Sequence, residues 1–115
     1  ANEAQPRYTR AHMHPAIAQH RSGIAAICRR YRIRRLEVFG SAARADDFKP
    51  ESSDADFLVE FAAGASPDLQ TFFGAKQALE KLLGRGVDLV EPGAVRNPYV
   101  LESINRNREA IFDAA

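Results

Sequence analysis

A single cysteine, Cys28, excludes any internal disulfide, so this chain has to be held together by a hydrophobic core. Cys28 falls on the apolar stripe of a predicted helix, where a free thiol packs as a small hydrophobe. No apolar run approaches the roughly 20 residues of a membrane span, and no hydrophobic stretch marks a secretory signal near the first residue, so a cytoplasmic protein is expected. Tryptophan is absent, and there are no internal repeats or low-complexity tracts. Net charge is only +1, which argues against blanket attraction to polyanions.

That small sum hides an asymmetry. Residues 1–44 carry nine arginines against two acids, and residues 45–115 carry thirteen acids against seven lysines or arginines. The arginines Arg21, Arg29, Arg30, Arg32, Arg34 and Arg35 are spread around a helix and its exit, with only Tyr31 as an interleaved aromatic. This spacing reads as a solvated helix face or a surface for an acidic protein partner, and direct nucleic-acid binding is not expected. Hydrophobic residues at 45% and charged residues at 27% are ordinary for a globular domain. At 115 residues the chain is sized for one domain: a flexible leader over 1–12 and a single domain over 13–115.

Apolar residues Ile17, Ile24, Ile27, Cys28 and Tyr31 recur at helical spacing and predict a helix over 15–31, with Pro15 in its first turn. A short strand over 34–39 runs into Gly40-Ser41, and a polar loop leads to a strand over 55–61. Ser66-Pro67-Asp68 is a helix start, Leu69, Phe72, Phe73, Leu79, Leu82 and Leu83 continue its apolar face, and Gly84 ends it. Val87 to Val90 forms a third strand. Asn97-Pro98 opens a last helix whose core-facing side is Val100, Leu101, Ile104, Ile111 and Phe112. The order is helix, strand, strand, helix, strand, helix. The expected fold is α+β, close to α/β: a small mixed sheet with flanking helices.

Chemistry concentrates in two segments. Gly40-Ser41 can bring backbone amides and a hydroxyl to an anion, and Arg44 lies one turn further on if that segment is helical. A plain turn, and a surface ion pair from Arg44 to Asp46 or Asp47, are the competing readings. Asp54 and Asp56 are two residues apart on a strand, so both carboxylates share a face roughly 6–7 Å apart. They can be ordinary surface acids, capped by amides or by Ser52 and Ser53. Set a loop away from Gly-Ser and followed by Asp88 between Val87 and Leu89, they instead suit hard divalent cations that grip phosphates. Glu60 shares their face but sits further along the strand.

Gly40-Ser41, the polar loop, Asp54-Ala55-Asp56-Phe57-Leu58-Val59 and the later Val87-Asp88-Leu89-Val90 together resemble the minimal nucleotidyltransferase (MNT) domains of the DNA polymerase β-like superfamily, over about residues 15–112. The resemblance implies a Mg2+-dependent enzyme that passes a nucleoside monophosphate from a triphosphate to a hydroxyl. It assigns Gly40, Ser41, Arg44 and Ser53 to nucleotide binding and Asp54, Asp56 and Asp88 to the metal and to catalysis, with Asp88 as ligand, base or both. Stand-alone domains of this kind are commonly antitoxins that place AMP from ATP on a tyrosine of a HEPN ribonuclease toxin, which names the expected partner and allows a complex with it or a homo-oligomer. Two rivals stand beside that expectation: an antitoxin that sequesters its toxin without catalysis, and a small-molecule enzyme of the aminoglycoside-modifying type. Twelve residues separate Ser41 from Asp54, where the family's spacing is nearer ten, and Ala45-Asp46-Asp47 alters the usual sequence after the arginine.

Overall fold

The computed structural model describes residues 13–40, 54–63 and 68–114. The expected leader over 1–12, the residues Ser41, Arg44 and Ser53, and the helix-start serine Ser66 lie outside them.

A four-residue helix α1 (Pro15–Ala18) begins at His14, whose Nδ1 accepts from the Ala16 amide at 3.0 Å. The predicted single helix over 15–31 is broken: the His20 amide bonds to Ile17 O, a tightened turn, and the Ile24 amide then bonds to His20 O to start α2 (Arg21–Arg30). Ile17, Ile24 and Cys28 are all fully buried despite the break, so the apolar stripe runs on across the turn. β1 (Ile33–Phe39) follows, then β2 (Ala55–Phe61). α3 (Leu69–Leu83) is capped by Asp68, whose side chain accepts from the Thr71 amide at 2.8 Å, and it ends at Gly84. β3 (Val87–Val90) leads through a 3-10 turn (Pro92–Ala94) to α4 (Pro98–Asn107), capped by Asn97 on the Tyr99 and Val100 amides.

The last helix is shorter than expected, and the chain closes on a strand, β4 (Glu109–Asp113). Ile104 and Ile111 are seven apart, which imitates helical period, but Arg108 leaves the helix with ψ 143°. Residues 109–113 then pair antiparallel with β1. Without β4 the long strand β1 would present an open edge. Val100 and Leu101 are exposed, and Ile104 is the buried residue of α4.

The four strands form one mixed sheet in the order β3-β2-β1-β4, with β1 antiparallel to both neighbours and β2 parallel to β3. One face packs on the helices. Ile24 and Cys28 of α2, Ala75, Leu79 and Leu83 of α3, and the inward residues Leu36, Val38, Ala55, Phe57, Val59, Val87, Leu89 and Ile111 make a single cluster. Each large side chain so buried stabilises the fold by about 1.5–3 kcal/mol. Burial pushes the Cys28 thiol up to about 12, against the opposing pull of Arg29, so it acts as packing rather than as a nucleophile. Among the described residues no helix is long and apolar enough to cross a membrane.

Three arginines of the first half are committed within the fold. Arg34 pairs with Glu60 and Arg35 with Asp113 and Glu37, while the Arg29 guanidinium lies 5.8 Å from the Phe112 ring centre. The pairing of Glu60 to Arg34 keeps it apart from the acids upstream on the same strand.

Candidate active site

Alternation along the strands decides which residues face away from the helices. Ala55, Phe57 and Val59 point into the core, so Asp56 points to the opposite face, and Val87 and Leu89 do the same for Asp88. In the parallel ladder Asp56 stands directly opposite Asp88, and in the antiparallel ladder Phe39 stands opposite Asp56. The chain therefore sets two carboxylates side by side next to the end of β1, where Gly40 begins the exit.

Asp56 is half-buried and shares a side-chain hydrogen bond with Asp88. Burial, that bond, the Asp88 charge and the Asp54 charge, in that order, push its carboxyl up to about 6 from an ordinary 3.8. Asp56 is therefore largely ionised only above about pH 6.

Two glycines make room for the acids. Gly40 has φ +72°, a left-handed conformation that side chains rarely adopt, and a Cβ there would lie 2.5 Å from Asp56 Oδ2. A Cβ on Gly86 would lie 2.5 Å from Asp54 Oδ1. The Gly86 carbonyl meanwhile accepts from the Ala55 amide at 2.9 Å, tying the approach to β3 to the start of β2. Gly86 looks like a simple strand boundary in the sequence; its closeness to Asp54 emerges only when β2 and β3 are laid parallel.

The expected trio is thus resolved into a pair and a neighbour. The sequence suggests Asp54 with Asp56 as the tight pair, but the tight pair is Asp56 with Asp88. Ladder partners on adjacent strands are about 4.8 Å apart, closer than residues two apart along one strand. Asp54 precedes β2, is exposed, and acts on Asp56 through its charge. Among the described residues no group of three histidine, cysteine or acidic side chains is gathered tightly enough to hold a metal alone. The Asp56–Asp88 pair nonetheless fits a hard divalent ion: it offers oxygen donors, and a cation between the two would offset the burial cost and the like-charge repulsion that push the Asp56 carboxyl up.

Lys76 and Glu80 on α3 also border the acids and were not suggested by the sequence. Lys76 Nζ donates to Glu80 Oε2 at 2.8 Å, and that oxygen accepts from the Val87 amide at 3.2 Å.

Comparison with known proteins agrees with this geometry. The nucleotidyltransferase domain family matches residues 21–111. The Methanocaldococcus jannaschii protein named "Putative protein adenylyltransferase MJ0128" is 42% identical over 78 residues, which cover 68% of this chain and 76% of that one. A solved structure described as a "putative minimal nucleotidyltransferase" is 34% identical with TM-score 0.66, covering 86% of this chain and 97% of that one. The same fold, at 17% identity and TM-score 0.59, covers 84% of this chain and 73% of a chain in the structure of a tri-AMPylated Shewanella oneidensis HEPN toxin in complex with MNT antitoxin.

Proposed function

The chain belongs to the nucleotidyltransferase domain family, and we propose that it transfers AMP from ATP to a tyrosine of a HEPN toxin and so acts as an antitoxin. The observation that carries this is the Asp56–Asp88 pair opposed across the ladder beside Gly40. Further support comes from a relative named for adenylyl transfer to protein and from the fold shared with an antitoxin bound to an AMPylated HEPN toxin.

Asp56 and Asp88, with Asp54 alongside, would hold Mg2+. Bound there, the ion offsets charge on the phosphates and on the reacting oxygens. Gly40 leaves space for the triphosphate next to Asp56, and Ser41, Arg44 and Ser53 are the proposed phosphate contacts. Asp88 takes the proton of the acceptor hydroxyl. The acceptor oxygen then bonds to the α-phosphorus, the bond from that phosphorus to the bridging oxygen breaks, and pyrophosphate departs. At neutral pH Asp56 is mostly ionised, since its carboxyl titrates at about 6.

Intact-mass analysis tests the proposal. Incubation with ATP, Mg2+ and a cognate HEPN protein is expected to add AMP-sized increments to that protein. The Asp54→Asn, Asp56→Asn double variant is expected to add none while remaining folded; labelling at the wild-type rate would overturn the assignment.

One feature favours sequestration as a second mode. Tyr99 is 81% exposed on α4, next to the exposed Val100 and Leu101, an apolar set suited to docking on a protein. A partner bound stoichiometrically without any ATP-dependent mass gain would select that mode.

A further inference from the structure

The reaction proposed above leaves one polar chain beside the acids without a role. On α3, Lys76 and Glu80 are four residues apart and therefore on one helix face, next to the buried stripe of Ala75, Leu79 and Leu83. Their ion pair is not isolated. Glu80 Oε2 receives both the Lys76 ammonium, at 2.8 Å, and the Val87 backbone amide, at 3.2 Å. Val87 is the first residue of β3 and directly precedes Asp88; Gly86, before it, is the residue against which Asp54 rests. A single carboxylate oxygen thus fastens α3 to the start of the strand that presents Asp88.

β3 needs such a fastening. It has four residues and, among the described residues, lies at the end of the sheet with β2 as its one strand neighbour. The Lys76 ammonium is also within electrostatic reach of the acids. Its proton is held more firmly than usual, foremost by the hydrogen bond to Glu80, against a small cost of burial, and then by the charges of Glu80, Asp88 and Asp54. An ammonium beside two carboxylates eases their mutual repulsion, and it equally repels any second cation that comes to them.

We propose that Lys76 and Glu80 are positioning residues for the acid site: Glu80 anchors the strand bearing Asp88 and holds the Lys76 ammonium aside, and the balance of the two charges sets how tightly the site takes a divalent cation. This role presupposes the reading of Asp56 and Asp88 as cation ligands. The two residues act with opposite sign. Removing the ammonium takes away a competitor of the incoming ion. Removing the Glu80 charge frees the ammonium to settle on Asp88 and Asp54 and loosens the start of β3.

Mn2+ binding to the full chain without nucleotide, followed by electron paramagnetic resonance at neutral pH, reads this directly, with melting temperature in parallel. Lys76→Met is expected to bind Mn2+ about three- to tenfold more tightly, and Glu80→Gln more weakly by a similar factor. Lys76→Arg, which keeps the charge, should stay near wild type. A helix-to-strand tie with only a structural role would lower melting temperature in both variants and would not split the affinities. Shifts in the same direction, or changes under about twofold in both, overturn the proposal. If Glu80→Gln fails to fold, the contrast between Lys76→Met and Lys76→Arg decides alone. Asp56→Asn separates the two levels. Loss of Mn2+ binding in that variant, with no response in the Lys76 and Glu80 variants, overturns the positioning role only. Retained Mn2+ binding overturns the acid-site reading itself.

Discussion

Two clusters of charge occupy the same face of the sheet and are resolved in opposite ways. Toward β4, Glu37 lies buried between two arginines: Arg35 donates to Glu37 Oε2 at 2.7 Å and also pairs with Asp113, and Arg108 Nε is 3.6 Å from Glu37 Oε1. Every charge there has an opposite charge from the chain itself. Toward β3, Asp56 faces Asp88 with Asp54 nearby, so like charges are gathered there, and burial together with their repulsion pushes the Asp56 carboxyl up to about 6. Glu37 is two residues from Phe39, the ladder partner of Asp56, so the contrast is drawn within one pair of strands. A cluster that neutralises itself serves the fold; one left acidic is built for a cation from outside.

The contrast breaks most sharply at Asp56. Asp56→Asn is expected to lower AMP transfer by about 10²–10³-fold, because stabilisation of developing charge is lost. Circular dichroism and melting should stay close to wild type. A variant that unfolds would mean the acids serve structure as Glu37 does.

Gly40→Ala is expected to affect both stability and activity. The added methyl meets Asp56 Oδ2 and forces a residue with φ +72° to carry a side chain, a cost of about 1–3 kcal/mol of strain. A lowered melting temperature together with weakened Mn2+ binding checks it.

Glu37→Ala probes the balanced cluster. Leaving two arginines without their buried acceptor should cost about 1–3 kcal/mol in urea unfolding, with Mn2+ affinity unchanged. Altered Mn2+ affinity would show that the two clusters are coupled across the face.

The smallest effect is a pH dependence of the metal-free protein. Asp56 titrates at about 6 when folded against an ordinary 3.8, so the folded state binds the proton more tightly. That contribution is fully present below about pH 4 and is lost as pH rises through about 6, amounting to about 1 kcal/mol once solvent screening of a half-exposed group is allowed for. Urea unfolding in a chelator should show stability falling across this window in wild type and flat in Asp56→Asn.

Much of this was legible beforehand. Alternation placed Asp54 and Asp56 on one face, Asp88 was read as an acid on a neighbouring strand, and the turn residues around them fixed the limits of β2 and β3 to the residue. Four things were hidden for physical reasons. β4 reads as helix because Ile104 and Ile111 sit at helical spacing, and only the open edge of β1 makes a strand of residues 109–113. The tight acid pair depends on parallel pairing of β2 with β3, which element order leaves undetermined. Lys76 and Glu80 carry the spacing of any surface ion pair on a helix; their link to Val87 exists only once α3 lies against β3. Val100 and Leu101 failed as core residues because the helix they ride on buries Ile104 instead.

The register between β2 and β3 has a consequence for how this protein can change over generations. Ala55 with Val87 and Phe57 with Leu89 flank the acid rung on the helix side, all four deeply buried. A slip of β3 by one residue against β2 would drive Asp88 inward and turn Val87 and Leu89 away from the core. Drift in the spacing of the aspartates would therefore be purged as misfolding before selection could test it as altered reactivity.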